Sequence, residues 1–465
     1  MGDIIARALA LRNRRRIDAI DPHTIYGVSW SKGESPILMR TDAAVGMTAN
    51  AGIDNQTVHN DFDDAGIYRD IIEVTDSLGN VFMRIPKFYI RKTDATNSKT
   101  WQISQHRHKG FYLPWCFWDF ENLRELPYID VGKYNASLSE AGALESKLGA
   151  YPFVHGAVTE KSGTIVNFRT YARANNTGGL RGYQQMDIHV YDVLSTLFYI
   201  EFATLHSQSI MAGYTSAAYS DSYVATVSES AASRVIVSNA TASNFRVGQA
   251  VSIGTARGNT SVCYGRTVSA IEDYDAENKA LALQGDPVDV TAGNIVWSSG
   301  WRSGFSSGIT ASSGSIGSNT DGKYPCCYRG IENPWGSVYE FVDGVNITDR
   351  QAWTCKDAAQ YASNVFASPY EQLSYVNHDA DGYPTEMGHD PARPFAEFPI
   401  AIQTSGISSS KYYSDYYYQA AGQRVALVGG DWGIGASAGL SCWRLNDSSG
   451  DASVYLGGRL VKKPL

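Results

Sequence analysis

The side chains of this 465-residue sequence with covalent or metal chemistry within reach are its six cysteines, its nine histidines and two acid-rich turns. Cys116, Cys263, Cys326, Cys327, Cys355 and Cys442 form no C-x-x-C pair and no zinc spacing, so neither a disulfide framework nor a metal ribbon is indicated. Adjacent Cys326 and Cys327 read as core or free thiols. A nucleophilic or metal-bound thiol needs partners that lower its pKa, and Cys442 has no second cysteine near it in sequence. His106 and His108 (H-R-H) would share one face if they lay on a strand; such a pair reads as surface decoration, with a metal role as the alternative. Asn377, Asp379, Asp381 and Gly382 spell N-H-D-A-D-G, like the first half of an oxygen-ligand calcium loop. Gly388 stands where the closing glutamate belongs, and Glu386 falls two residues short. An Asx-rich turn is the plainer reading and calcium the alternative; N-D-F-D-D-A-G at 60–66 has the same ambiguity.

Noncovalent recognition is better represented. Near the C-terminus come five tyrosines, Tyr412, Tyr413, Tyr416, Tyr417 and Tyr418. Small, polar and aromatic residues then alternate between short anchors: Val425, Ala426 and Leu427, next Leu440, Trp443 and Leu445, and last Gly457, Gly458, Arg459 and Leu460. Tyr and Trp supply rigid contact area at low entropic cost, and Ser, Gly, Asn and Asp supply adaptable hydrogen bonds. This composition fits a binding surface, with the tyrosines as an aromatic rim; it also fits the loop-rich end of a β domain.

The elements that would hold this segment are mostly strands. F-M-R-I-P-K-F-Y-I-R-K from Phe82 alternates apolar and polar residues as a half-buried strand does. The best helix signal runs from about Met186 to Gln208, where Ile188, Tyr191, Leu194, Leu197, Phe198, Ile200 and Phe202 give a wide apolar stripe. Between about 217 and 300 five strand-like pieces, S-R-V-I-V-S-N, F-R-V-G-Q-A-V-S-I-G, G-R-T-V-S-A-I-E-D, K-A-L-A-L-Q-G and G-N-I-V-W, alternate with Gly, Asp and Asn turns. That is the rhythm of a small β-barrel or sandwich, read here as a domain inserted into another. Residues 3–16 are expected to form a short helix, too short to be stable alone in water. With the β-type segments up to about residue 80, it reads as an attachment and oligomerisation module.

Charged residues make up only 18% of the chain against 12% aromatic, with 44 glycines, which places it among globular, loop-rich, β-leaning proteins. The net charge of −8 without a basic stripe removes the electrostatic footprint of nucleic-acid binding. No apolar run approaches a membrane span. The first twenty residues make no convincing signal peptide, because Arg7 interrupts the apolar stretch and Arg14, Arg15 and Arg16 follow it.

Three sets of residues carry a resemblance. The anchors A-L-V-G-G, A-G-L, Trp443 and G-G-R-L, the segment P-W-G-S-V-Y-E-F-V around Trp335 and Glu340, and V-G-K-Y-N-A-S from Val131 resemble the formylglycine-generating-enzyme type of C-type lectin fold. More closely they resemble the variable proteins of diversity-generating retroelements, many of them phage tail-tip receptor-binding proteins. The resemblance covers about 81–216 and 301–465 and implies an α+β fold: a lectin-like domain in two parts, 81–216 and 301–465, with the small all-β domain inserted at 217–300 and the N-terminal module at 1–80.

In that family, adenine-directed changes within the last segment, here about 425–465, vary chosen surface positions on a fixed scaffold. Residue types reachable from an Asn-type codon stand at Asp431, Gly433, Ile434, Ser437, Ser441, Cys442, Arg444, Asn446, Asp447, Asp451, Ser453, Val454 and Tyr455. These are the receptor-binding positions the resemblance implies. Trp432, Trp443, Lys462 and Lys463 are not reachable and are expected to be scaffold, with Trp335, Glu340, Gly458 and Arg459. Glu340 is expected to accept backbone hydrogen bonds, because a buried carboxylate must be paired.

The implied function is a tail-tip adhesin, in the virion, that performs no chemistry. Its implied partners are a host cell-surface receptor, protein or glycan, and other tail proteins, with no nucleic acid, no membrane insertion and no cofactor beyond the calcium alternative. A homotrimer is the expected assembly. The alternatives are a formylglycine-type enzyme with a displaced site, or a structural tail protein of fixed sequence. The enzyme branch keeps a catalytic cysteine pair where this chain has Cys442 alone, and the related sulfoxide synthases keep a histidine-rich iron site that is not matched here.

Overall fold

The central helix, Ile188–Phe202, organises the structure, a computed structural model that describes residues 23–54, 56–406 and 409–465. The helix expected over residues 3–16 lies outside the described residues. Asp187 caps the central helix by accepting from the His189 and Val190 amides at 3.1 and 2.9 Å, which satisfies two of the orphan donors of a helix start. Every residue but Tyr191 is buried, so this is a core helix and not one with a wet face. It ends sooner than its apolar run. Ala203 turns left-handed at φ 51° and its amide returns to the Tyr199 carbonyl, the geometry of an αL stop.

Strand exceeds helix nearly threefold, 35% against 12%, so the chain is β-rich with few helices. A four-stranded antiparallel sheet has the order Met39–Asp42, Ile25–Ser31, Ser98–Ser104, Tyr89–Ala95. A five-stranded sheet has the order Tyr183–Gln185, Leu460–Lys462, Tyr128–Gly132, Val81–Pro86, Ile72–Thr75. The last strand of the chain thus lies inside a sheet otherwise made from its first two hundred residues. These pairings correct the break expected at residue 80. Ile25–Ser31 zips onto Ser98–Ser104, and Tyr26, Val28, Trp30, Phe62 and Tyr68 enter the same core as the central helix.

The sheet that carries the C-terminal segment has seven strands. Its path is Glu371–Gln372, Gln351–Thr354, Tyr339–Thr348, Gln423–Gly429, Gly439–Leu445, Tyr417–Gln419, and Leu456–Gly457 adds in parallel beside Tyr339 and Glu340. A second helix, Ile165–Arg173, starts at a reciprocal cap between Thr164 and Asn167 and places Phe168 against Phe341 with ring centres 5.5 Å apart.

The five segments singled out between 217 and 300 are five strands of one sheet, ordered Arg234–Ser238, Asn278–Leu283, Cys263–Asp273, Ala250–Gly254, Ile295–Ser298. Val235, Val237, Val251, Ile253, Leu281 and Val296 build a core of their own. One side of this unit docks on the rest of the chain. Trp297 and Trp301 join a cluster with Tyr214, Val338, Trp432 and Val454.

Candidate functional site

Gly439–Leu445 is the strand on which the candidate face is built. It runs antiparallel to Gln423–Gly429 and parallel to Tyr417–Gln419, with Tyr417 opposite Trp443 and Tyr418 opposite Arg444. Strand side chains alternate, and here the alternation separates support from presentation. Ser441, Trp443 and Leu445 turn toward the central helix: the Ser441 and Tyr199 hydroxyls lie 2.6 Å apart, and Trp443 packs edge-on to Tyr191 at 4.8 Å. Cys442 and Arg444 turn to the opposite side. Cys442 stays buried there, whereas Arg444 reaches the surface half-buried.

Arg444 is the centre of that surface. Its guanidinium carbon lies 5.3, 5.8 and 5.4 Å from the ring centres of Tyr339, Tyr418 and Tyr455, and its Nη2 donates to Asp447 Oδ1 at 3.1 Å. A cation boxed by three rings is held by cation–π attraction as well as by its carboxylate. Tyr418 continues to Tyr416 at 4.6 Å, and Tyr416 to Tyr383 at 4.9 Å. The Tyr383 hydroxyl reaches the Ser437 hydroxyl at 3.4 Å. Ile434, Tyr418 and Tyr455 all rest, partly buried, on one apolar cluster, so these residues share a continuous face.

The remaining positions divide by burial. Gly433 and Asp451 are exposed; Ile434, Ser437, Arg444, Asn446, Ser453 and Tyr455 are half-buried. Asp431, Ser441, Cys442, Asp447 and Val454 are buried, which corrects their place among residues that meet a partner directly. The rim divides likewise. Tyr412, Tyr416 and Tyr418 are half-buried, but Tyr413 and Tyr417 are 1% and 0% exposed and belong to the core. Ser441→Ala is expected to cost about 1–2 kcal/mol, because it leaves the buried Tyr199 hydroxyl without its partner; urea unfolding measures it.

Burial pushes the Asp431 carboxyl up to about 6, against the amide of Gly433, which donates to it at 2.6 Å. Burial also drives the Cys442 thiol well above its usual range, the opposite of what a nucleophilic cysteine requires. All six cysteines are buried and free of disulfides.

The residues expected to be scaffold form the floor. Trp335, Trp432 and Trp443 are each 1% exposed. Trp335 Nε1 donates to the Met211 carbonyl at 3.1 Å. A Cβ at Gly458 would meet Phe168 Cδ1 at 2.8 Å, so only glycine fits without displacement. Glu340 does not take backbone amides as expected. Its carboxylate is held by the Arg459 guanidinium, with Nε to Oε2 at 3.0 Å, and by Asn135 Nδ2 at 2.7 Å. Arg459 spends its other donors on the carbonyls of Gly132, Lys133, Glu332 and Asn333.

Sequence reasoning missed the contribution of the five-stranded unit between 217 and 300. Trp297 stacks on Trp432 at 6.1 Å, Tyr219 packs edge-on to Trp432, and Arg257 lies over Tyr219 at 4.7 Å. Gly433 borders Tyr219, so the face continues onto that unit. Nothing in the local sequence signals this, because the partners stand more than 130 residues apart.

The two acid-rich turns are structural. Asp381 Oδ1 accepts from the Gln419 amide at 2.9 Å, and Lys32 takes Glu386 at 2.7 Å. Gly388 lies against the Tyr375 ring. In the 60–66 turn, Asn60 caps Phe62 and also donates to Glu201, Asp61 accepts from Thr48, and Asp63 pairs with Arg329. His106 and His108 follow the strand Ser98–Ser104 in a turn and do not share a strand face; both rings lie near His23. Among the described residues no group of three or more His, Cys, Asp or Glu could hold a metal ion, and no helix is long and apolar enough to cross a membrane. No protein-family model matches the sequence, and no curated protein matches it either.

Proposed function

We propose that this chain is a receptor-binding adhesin of a phage or prophage tail tip, with a C-type lectin-like body of the formylglycine-generating type holding a C-terminal face diversified by a retroelement. The observation that carries the reading is the division within one short segment. Trp432, Trp443, Gly458 and Arg459 are buried in well-connected sites, while Gly433, Ile434, Ser437, Arg444 and Tyr455 surround them on the surface. Outside the Arg444 network, outer residues such as Gly433 tolerate exchange, since surface substitutions away from caps and networks cost little stability. The fold assignment draws support from the closure of the chain, whose last strand, Leu460–Lys462, pairs with Tyr128–Gly132, and from the tie between Glu340 and Arg459.

The mechanism is contact without chemistry. The rings around Arg444 give rigid amphipathic area, and Gly433, Ser437 and Ser453 supply the adaptable part. A homotrimer presenting three such faces would multiply a weak single-site affinity, since later contacts become effectively intramolecular. Gly433→Arg and Ser453→Arg are expected to cut adsorption to host cells by about tenfold or more while the melting temperature stays within about 2 °C. Unchanged adsorption in both variants would contradict the assignment of the face.

A further inference from the structure

A cavity of about 580 Å³ opens on a different part of the molecule, inside the ~300–1,000 Å³ range of small-molecule sites. Its walls come from the turn after Trp118, the end of the helix Ile165–Arg173, the strand at Tyr183, the turn at Asp357 and the residues after Lys462. None of the positions of the C-terminal face lines it. Trp118 and Phe120 are half-buried in its wall, offering aromatic surface to a ligand.

The charges in the wall are unevenly satisfied. Its three side-chain carboxylates are already engaged. Asp119 accepts from Asn122 and Arg124, Glu121 pairs with Arg181, and Asp357 caps its own turn through the Ala359 amide. The two cations have carbonyl partners only. Lys463 is 4% exposed, and its Nζ donates only to the carbonyls of Trp115 and Trp118, at 3.1 and 3.4 Å. Arg173 donates to the carbonyls of Ala358 and Tyr361, at 2.7 and 3.5 Å. Neither forms an ion pair with any carboxylate among the described residues. Burial lowers the pKa of Arg173, with the Asp343 carboxylate only partly opposing it. Lys463, buried and held by carbonyls alone, gains most when an anion enters, and half-buried Arg173 has donors to share with it.

We propose that this cavity binds an anionic sugar unit, its acid group between Arg173 and Lys463 and its ring against Trp118 and Phe120. The acid group is a carboxylate or a phosphate; both chemistries occur on surface polysaccharides and both satisfy a guanidinium and an ammonium together. The site would recognise a fixed ligand beside a face whose contacts change, and it does not depend on that face being variable.

The test is titration of the full chain by calorimetry and ligand-observed NMR with glucuronate, glucose 6-phosphate and glucose. At least one anionic sugar is expected to bind about tenfold or more tighter than glucose, and to weaken as salt rises. The tighter of the two identifies carboxylate or phosphate as the source. Phe120→Ala, at the half-buried wall, and Arg173→Gln are each expected to weaken that ligand about tenfold, with circular dichroism unchanged for Phe120→Ala. Binding of both anionic sugars no tighter than glucose, or affinity unchanged by both substitutions, would overturn the proposal. Inorganic phosphate binding as tightly as glucose 6-phosphate would overturn the role of the ring.

Discussion

Arg459→Met is expected to destabilise the chain by about 3–5 kcal/mol, as removal of one partner from a buried ion pair does. Arg459 is 1% exposed and Glu340 5%, so the substitution strands a carboxylate whose one remaining side-chain partner is Asn135. Burial already holds the Glu340 carboxyl above its ordinary value even with Arg459 in place. The guanidinium also ends four backbone carbonyls, at Gly132, Lys133, Glu332 and Asn333, and their loss adds to the cost. A Glu340→Met, Arg459→Met double variant should lose clearly less than the sum of the singles, because it removes the orphaned charge. Chemical denaturation of all four proteins measures this. Additive losses would show that the two side chains act separately.

Asp415→Asn is expected to stabilise the chain at pH 8 by about 2–4 kcal/mol. Asp415 is 0% exposed and accepts from the Ser441 amide at 2.7 Å and the Ser414 hydroxyl at 3.0 Å. Burial pushes its carboxyl up to about 7, with those two donors only partly opposing it. Each tenfold change in proton affinity is worth about 1.4 kcal/mol, which sets the size of the effect. The sign follows from linkage. The folded chain holds a proton that the unfolded chain gives up near the ordinary Asp value, so the contribution is complete below about pH 4 and is lost as pH rises through about 7. Asp431, pushed up to about 6, slopes the same way. Asparagine keeps an acceptor for the Ser441 amide and carries no charge, so the variant should flatten much of the fall between pH 4 and 7. Gly439 is tied to the same feature, because a Cβ there would meet the Asp415 carboxyl carbon at 2.3 Å. Thermal melts at pH 5 and pH 8 decide it, and an Asp415→Asn protein less stable at pH 8 would refute the account of this residue.

Local pattern carried the sequence reading where local pattern decides structure. The five strands between 217 and 300 were legible because Val, Ile and Leu alternate between Gly- and Asp-bearing turns. The central helix was legible in its existence but not in its end, since Ala203 stops it with no glycine to mark the place. The break at residue 80 was misplaced because the pairing of Ile25–Ser31 with Ser98–Ser104 is non-local, and composition carries no record of it. In the site, Tyr413 and Tyr417 could not be told from Tyr412, Tyr416 and Tyr418, because a run of one residue type has no apolar–polar alternation to assign faces. Ser441 and Cys442 are small enough for either face, and only the register against Tyr417–Gln419 assigns them. The partners of Arg459 were out of reach for the same reason as the early strand, since its carboxylate stands 119 residues away.

Deep sequencing of the 3′ end of this gene across a natural population separates a diversified face from a fixed one. Substitutions are expected to concentrate at the outward positions Gly433, Ile434, Ser437, Arg444, Asn446, Asp451, Ser453 and Tyr455, with Trp432, Trp443, Gly458 and Arg459 unchanged. A uniform 3′ end, or variation spread evenly over buried and exposed positions alike, would contradict it.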